Sequence, residues 1–327
     1  MDKEGLELKN KLAVFAALCA MAALTTASAE VIASCRAALK LCSELIIPSL
    51  FPFFVLSGLL GRLGFPGYLG ALLSPMAARL FGVSGAGVSA LFVGLTGGYP
   101  TGAVYIAQLR RDGVISAGEA GKLLAFCNNS GPAFIIGAVG AGVFGSARAG
   151  LLLYLAHIAA AVATGLLLRG EKTAAAPGRP APPPEPPPFS RALTESVRQA
   201  VISVLNVCGF VVCFTVFAGL LDANGFFPAL SGALAALCGA ELHFTRALLA
   251  GFLELGSGAA ALRSLAATPA NLALAAWLLG WGGISVHFQT MSAIADTEIK
   301  GALHFAGRLV SACIAAALVY AAGGFLK

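Results

Sequence analysis

Two apolar segments in the first half of the chain are interrupted by residues that could bind a small molecule. One interruption runs from Gly97 to Gly102 and carries Tyr99 and Thr101, and the other, Asn128 to Gly131, places two amides and a hydroxyl in succession. Backbone that leaves its helix at membrane depth has no water for its N–H and C=O groups, so it persists only beside protein or a polar cavity. Such breaks therefore indicate a binding site.

The second interruption also suits an anion. A helix that begins near Pro132 would direct free backbone N–H groups and the positive end of its dipole toward Asn128, Asn129 and Ser130. The alternative is that these polar side chains only cap the broken helices to which they belong. The sequence leaves both interpretations open.

Two ionisable residues stand in apolar segments of the second half. Glu254 lies in the run Leu248–Leu255, where a charge at the bilayer centre would cost at least about 2.5 kcal/mol. It could bind a proton or a cation, or accept hydrogen bonds from a solute; alternatively, it pairs with a buried base such as His287 or reaches the membrane surface. His287 itself is either a site residue or a hydrogen-bonded packing histidine.

These segments together define one candidate site for a small solute. No catalytic residue, metal-binding residue or cofactor is predicted, and Na⁺ or H⁺ is left open as a coupling ion. The predicted substrate-binding residues are Gly97, Gly98, Tyr99, Pro100, Thr101, Gly102, Asn128, Asn129, Ser130, Gly131, Glu254, Ser257, Gly258, Ser285, His287 and Gln289.

A competing motif would make the chain an enzyme. Ser84, in the tetrapeptide Gly82 to Gly85, and His157 are faintly similar to the serine and histidine of rhomboid intramembrane proteases, where such a dyad performs acyl transfer. Alanines at positions 160 and 161 stand where glycines would be expected. The sequence therefore favours a protein that is not an enzyme, with the protease as the alternative.

The composition identifies a membrane protein that crosses the bilayer several times. Hydrophobic residues make up 58% of the 327 residues and charged residues only 11%, which is unlike a water-soluble domain of this size. The apolar runs are long and not alternating, so they predict helices and not a barrel. The net charge of +6 is dispersed through the loops, which is not the pattern of a nucleic-acid-binding surface.

The apolar segments of the first half predict a retained span over Lys11–Ala29 and an interfacial amphipathic helix over Val31–Leu45. Prolines 48 and 52 should kink or break the next helix. Val83–Leu109 then reads as a span broken at its glycines. Ala117–Val143 reads as a re-entrant helical hairpin, because the helix before its break is too short to cross a core of about 30 Å.

The second half repeats the order of the first. Gly251–Gly258 and Gly280–Phe288 are broken apolar segments at positions like those of the two breaks described above. Paired broken segments in two halves are a pointer to a secondary transporter with its site at the repeat interface. We therefore predict an all-α membrane fold of two inverted repeats with re-entrant hairpins and broken transmembrane helices. Residues 1–170 form the first repeat, 171–190 a Pro-rich linker and 191–327 the second repeat.

Several uncommon sequence blocks, in the same order, resemble the YlbJ-type sporulation integral membrane proteins, whose halves resemble the Gate, or nucleoside-recognition, domain. The resemblance covers nearly the whole chain and implies a fold similar to concentrative nucleoside transporters. It also implies a role in moving dipicolinic acid across the outer forespore membrane during sporulation. The blocks that carry it are Pro48 to Phe53, Gly97 to Gly102, Phe126 to Pro132, Phe134 to Gly137, Glu254 to Gly258 and Gly282 to Gln289.

The predicted function is therefore transport of a small, anionic solute across a membrane, with dipicolinate as the implied solute. The lipid bilayer and this solute are the expected partners, nucleic acid is not, and a homo-oligomer is left open. The alternatives are a transporter of a nucleoside-like solute, a membrane scaffold for spore or envelope assembly, and the protease.

Overall fold

The computed structural model describes residues 3–170 and 186–322. Regular structure in these residues is helical, with no strand. The predicted linker falls mostly on residues 171–185, which lie outside the described residues. The α-helices are α1 Lys3–Thr26, α2 Ser28–Leu41, α3 Ile47–Arg62, α4 Phe65–Leu80, α5 Gly85–Gly97, α6 Thr101–Arg111, α7 Ala117–Cys127, α8 Ala147–Leu167, α9 Phe189–Ala223, α10 Phe226–Cys238, α11 Leu242–Leu253, α12 Leu255–Ala261, α13 Pro269–Trp281, α14 Gly283–Ile294 and α15 Ala302–Ala322.

Long apolar helices confirm an integral membrane protein. Five helices of the described residues are long and apolar enough to cross a bilayer, and the bent pair α4 and α5 would make six. The N-terminal helix α1 includes the shorter apolar stretch Ala17–Thr26, and its predicted span stays a prediction.

The segment predicted to lie along the membrane surface is instead part of a helix that is long and apolar enough to span the membrane. Helices α2 and α3 join through a π-helical segment, Cys42–Ile46, into a continuous apolar helix of 35 residues, Ser28–Arg62. The predicted interfacial helix Val31–Leu45 is its first half. Pro48 stands in the first turn after the π-helical segment and Pro52 lies inside α3 without ending it. The wider turn gives the backbone room for a residue that lacks an N–H group.

The first break turns the chain back on itself. Helices α5 and α6 pack as an antiparallel pair, in which the Ser89 and Tyr105 hydroxyls lie 3.1 Å apart. Near the turn, a Cβ added at Gly102 would lie 2.7 Å from the carbonyl oxygen of Cys127 and 3.1 Å from the Cα of Gly94. The region predicted as a broken span is therefore a helical hairpin whose tip admits only glycine.

The second break does not turn the chain back, and the prediction of a hairpin at Ala117–Val143 is wrong. Helix α7 and the π-helical segment Ala133–Val143 lie end to end along the single helix α8. A Cβ at Gly165 of α8 would lie 2.9 Å from the Phe126 ring, and one at Gly150 would lie 2.8 Å from the Cα of Ile136. Packing along α8 keeps the two pieces in line, which the sequence around the break does not specify.

The second half also contains a helical hairpin and a broken helix. Helices α11 and α12 pack against each other on either side of Glu254. Helices α13 and α14 form one broken helix of 26 residues, interrupted at Gly282, and α15 runs alongside it. A Cβ at Gly280 would lie 2.5 Å from the Cα of Ala312, so the two helices touch backbone to backbone.

The order of elements is therefore the same in both halves. A long helix is followed by a left-handed glycine, Gly64 in one half and Gly225 in the other, with φ angles of 81° and 76°. Each half then continues with a helix, a hairpin, a broken helix and a spanning helix. The predicted boundaries of the repeats stay a prediction.

Candidate functional site

Within each half, the two breaks are in contact. In the first half, a Cβ at Gly98 would lie 3.0 Å from the backbone nitrogen of Gly131. In the second half, a Cβ at Gly283 would lie 2.9 Å from the backbone nitrogen of Leu255 and 3.2 Å from the Cα of Glu254. Gly98 and Gly283 have φ angles of 78° and 81°, a conformation that favours glycine. Both the backbone conformation and the lack of space for a Cβ atom therefore require glycine at these two positions.

Tyr99 connects the breaks of the two halves. Its hydroxyl donates to the carbonyl oxygen of Leu279 over 3.3 Å, and a Cβ at Gly282 would lie 3.3 Å from its ring. Four departures from helical geometry, two from each half, thus meet at one place. The sequence predicted these four segments, and the structure brings them together.

A small cavity of about 40 Å³ lies at this meeting point. Five of the predicted site residues line it: Tyr99, Ser130, Gly131, Glu254 and Gln289. The rest of the wall, from Ile46, Leu50, Phe134, Val207, Val211, Leu255, Gly256 and Val286, is mostly apolar. A mostly apolar wall with a few convergent polar groups is typical of small-molecule sites.

The two predicted asparagines use their side chains within the protein. Asn128 accepts from the Ala103 backbone N–H over 3.2 Å and donates to the Thr290 hydroxyl over 2.8 Å. Asn129 donates to the Phe126 carbonyl oxygen over 2.7 Å and accepts from Arg308 over 2.9 Å. Both residues are fully buried. They tie the second break to its surroundings and do not line the cavity.

Glu254 is at once a lining residue and a helix cap. Its carboxylate accepts from the Gly256 N–H over 2.9 Å and from the Ser257 N–H, at the start of α12. The side chain is 3% exposed, and no ion pair to it occurs in the described part of the chain. The predicted alternative, a pair with His287, is therefore not formed. Two N–H donors and a helix start stabilise a carboxylate.

Arg308 of α15 is a buried residue that the sequence analysis missed. Its Nε donates to the Gly280 carbonyl oxygen over 2.9 Å, and its Nη1 donates to the Asn128 carbonyl oxygen and the Asn129 side chain, each over 2.9 Å. The guanidinium carbon lies 5.7 Å from the centre of the Tyr99 ring. One side chain thus connects the breaks of both halves. The sequence feature that could have identified it is a single arginine within an apolar helix, four residues after His304.

The predicted His287 lies in an aromatic cluster behind the cavity wall. Its ring centre is 4.3 Å from that of Trp281, 4.5 Å from that of Phe305 and 5.0 Å from that of His304. In the described part of the chain, neither ring nitrogen has a hydrogen-bond partner, and neither does the hydroxyl of the buried Ser285. These polar atoms are therefore buried without hydrogen bonds.

The remaining predicted residues shape the breaks. Thr101 lies 3.5 Å from the Gly97 carbonyl oxygen and Pro100 precedes α6. The Ser257 hydroxyl lies 2.9 Å from that of Thr215 in α9, and Gly258 packs against Gly251.

The two residues of the protease alternative have separate partners. The Ser84 hydroxyl accepts from the Gly87 N–H over 2.9 Å at the start of α5. His157 accepts from the Ser130 N–H over 3.1 Å through Nε2. His157 thus bonds to the second break, and Ser84 bonds to the first turn of α5.

A cleft of about 650 Å³ opens where α7 and α15 begin. Its wall includes Lys122, Glu298 and Lys300. Beside it, two ion pairs join the end of α6 to the segment between α14 and α15: Arg110 to Glu298 at 3.0 Å and Arg111 to Asp296 at 2.6 Å. The hydrogen bonds from Arg111 lower the pKa of Asp296 below its ordinary value. The two halves are thus linked at this end as well.

The chain is similar to the sporulation integral membrane protein YlbJ of Bacillus subtilis (strain 168). The two sequences are 33% identical over 303 residues, which cover 84% of this chain and 73% of the relative. No family model matches the chain. No solved structure matches it.

Proposed function

Since the chain belongs to the YlbJ family of sporulation integral membrane proteins, we propose that it carries a small anionic solute across a membrane, with dipicolinate as the first candidate. The observation that carries this proposal is the cavity whose wall includes Tyr99, Ser130, Glu254 and Gln289, residues from the breaks of both halves. Broken helices that meet between two halves are the usual construction of solute sites in secondary transporters.

We further infer that the two halves are inverted relative to each other. The ion pairs of Arg110 and Arg111 put the start of α7 at the same end of the molecule as the end of α14. The broken helix of the first half therefore starts at the end where the broken helix of the second half finishes. Opposite directions of corresponding elements are what an inverted repeat requires, and the hairpins α5–α6 and α11–α12 then enter from opposite sides as re-entrant elements.

Alternating access follows from this arrangement. A volume of about 40 Å³ has room for only one or two water molecules, so a solute must separate the cavity walls to bind. The hairpins are held at their tips by glycine contacts and at one end by exposed ion pairs, which are weak enough to exchange. Movement of one hairpin against the other half would open the cavity to one side at a time.

The cavity wall has groups that suit a planar aromatic dicarboxylate. Tyr99 offers an aromatic face, Gln289 lines the cavity with an amide whose NH2 group can donate to a carboxylate, and the break at Ser130 and Gly131 precedes a helical segment whose N–H groups attract anions. The role implied by the family resemblance is transport across the outer forespore membrane of a sporulating cell. The fold implied is that of the concentrative nucleoside transporters, with the Gate-type unit in each half.

Uptake by the purified full-length protein in lipid vesicles tests the proposal. We expect saturable uptake of labelled dipicolinate, and a loss of at least about tenfold in Gln289→Leu, since a buried polar contact to a charged ligand contributes about 1.5–3 kcal/mol. Gln108→Leu, in an exposed bond to Asp112, is the matched control and should transport normally. Absence of saturable uptake of dipicolinate, nucleosides and other small dicarboxylates would overturn the proposal in favour of a scaffold.

A further inference from the structure

Arg308 has hydrogen-bonding capacity that the protein does not use. Its guanidinium is fully buried, and three hydrogen bonds engage Nε and Nη1. Its second terminal nitrogen, Nη2, has no partner among the residues that the structure describes. All three acceptors are neutral oxygens, and no carboxylate of the described residues pairs with it. A buried arginine therefore offers the two N–H groups of Nη2 and a full positive charge.

The side chains nearest to Arg308 supply no counter-charge. His304, one turn earlier on α15, uses Nδ1 toward the Leu124 carbonyl oxygen at 3.0 Å and leaves Nε2 without a partner. The ring of His287 lies 5.0 Å from that of His304 and has two nitrogens without partners. Three basic side chains thus share one interior region.

A purely structural role does not account for the charge. Neutral donors such as an amide would satisfy carbonyl oxygens equally well, whereas a buried ion without a counter-ion is costly in a low dielectric. Arginine is the side chain that binds carboxylates through a planar fork of N–H groups. The missing counter-ion is therefore best supplied by a ligand.

We propose that Arg308 binds a carboxylate of the transported solute, an inference that rests on the proposed transport function. Arg308 lies directly behind the cavity wall, since its guanidinium carbon is 5.7 Å from the centre of the Tyr99 ring and Tyr99 lines the cavity. The Tyr99 hydroxyl is held by a long hydrogen bond of 3.3 Å to Leu279. Displacement of this ring as the cavity widens brings Nη2 into contact with the solute. The ligand class is a small aromatic acid.

Three probes built on the same pyridine ring test this assignment: dipicolinate with two carboxylates, picolinate with one, and picolinamide with none. Binding to the purified full-length protein is measured for each probe. We expect the wild-type protein to prefer picolinate over picolinamide by about 10–100-fold, the range of one hydrogen-bonded charge contact. Arg308→Gln should abolish this preference, and Arg308→Lys should retain part of it. The exposed Arg79 supplies the control Arg79→Gln, which should behave as wild type.

The outcomes separate this inference from the proposed function. If the wild-type protein binds these probes but Arg308→Gln keeps the full preference for picolinate, Arg308 is only a structural tie and the inference is overturned. If Arg308→Gln does not fold, Arg308→Lys decides, because equal weakening of picolinate and picolinamide would overturn the inference as well. A wild-type protein that binds none of the probes overturns the proposed function and, with it, this assignment.

Discussion

Asn128 donates from its side-chain amide to the hydroxyl of Thr290 over 2.8 Å, across the boundary between the two halves. Both side chains are fully buried, and the amide oxygen of Asn128 accepts from the Ala103 backbone N–H. Every strong hydrogen-bonding group of this amide except one N–H is thus used inside the protein. The polar run that marks the second break in the sequence begins with a residue that joins the break to α6 and α14.

Asn128→Ala should lower the stability of the protein. The substitution leaves the Ala103 N–H without its acceptor in the interior, and an unsatisfied buried group costs about 1–3 kcal/mol. Thermal unfolding of the purified protein in detergent measures the effect. Thr290→Val should also lower the stability, because it leaves the buried Asn128 side-chain N–H without its acceptor.

The double variant and a surface control complete this test. If the two residues act as a pair, Asn128→Ala combined with Thr290→Val should cost less than the sum of the single changes. Asn271→Ala, at an exposed helix start, should have a smaller effect. Simple additivity of the two buried substitutions would show that the hydrogen bond between them contributes little.

Glu254→Gln should weaken the start of α12 and alter solute uptake. Glutamine offers one oxygen where the carboxylate offers two, so one of the Gly256 and Ser257 N–H groups loses its acceptor. We expect a loss of about 1–3 kcal/mol in the free energy of unfolding. If Glu254 also carries the coupling ion, uptake by the variant should no longer depend on pH or Na⁺.

The matched control for this substitution is Glu241→Gln. Glu241 precedes α11 as Glu254 precedes α12, but it is exposed and its side chain makes no capping bond. Its variant should keep both stability and uptake. A pH and Na⁺ dependence of uptake that is the same in Glu254→Gln and in the wild-type protein would limit Glu254 to its capping role.

The positions of the breaks could be predicted from the sequence, because glycine, proline and consecutive polar residues are rare within apolar runs. The direction that the chain takes after each break could not be predicted. Both Gly97–Gly102 and Asn128–Pro132 read as helix, break, helix, and the choice between folding back and continuing is made by a distant helix. Packing of α8 against the end of α7, the break and the segment Ala133–Val143 keeps the two pieces in line, and no local residue encodes it.

The residues of the site were predicted only in part, for a related reason. Tyr99, Ser130 and Gln289 line the cavity, and their polarity in apolar surroundings made them visible. Arg308 bonds chiefly to backbone carbonyl oxygens, which carry no sequence signal, and arginines near helix ends resemble interfacial anchors. The feature that distinguishes Arg308 is its place inside α15, where it is the one charged residue of an apolar helix.

Asp296→Asn should loosen the link between the two halves at the α6 and α14 ends. Arg111 holds the pKa of Asp296 below its ordinary value of 3.8, so the pair stabilises the protein above that pH, and this contribution is lost as pH falls through the lowered pKa. The wild-type protein should therefore be more stable than the variant at pH 7, and the difference should disappear once the pH is below the lowered pKa of Asp296. Thermal unfolding across this pH range measures it.

Exchanging the two charges of the pair separates the loss of the ion pair from the loss of the Asp296 carboxylate itself. The double variant Arg111→Asp with Asp296→Arg keeps an ion pair at the same place, and we expect it to recover part of the stability lost in Asp296→Asn. High salt should reduce the difference between wild type and variant, because exposed pairs are screened. A stability difference that persists unchanged at low pH would contradict this account of the pair.

Gly98→Ala should disrupt the contact between the two breaks of the first half. The backbone of Gly98 has a φ angle of 78° and a ψ angle of −178°, a conformation essentially restricted to glycine, so any other residue there is strained by about 1–3 kcal/mol, and the new Cβ would in addition lie 3.0 Å from the Gly131 nitrogen. Gly113 is a control with a positive φ angle, 69°, and with no atom of the described residues within 4 Å of the position of a Cβ. Gly113→Ala should therefore lose stability through strain alone, and Gly98→Ala should lose more and also lose uptake. Equal losses of stability in the two variants, with uptake intact, would show that the approach of Gly98 to Gly131 is not needed for the site.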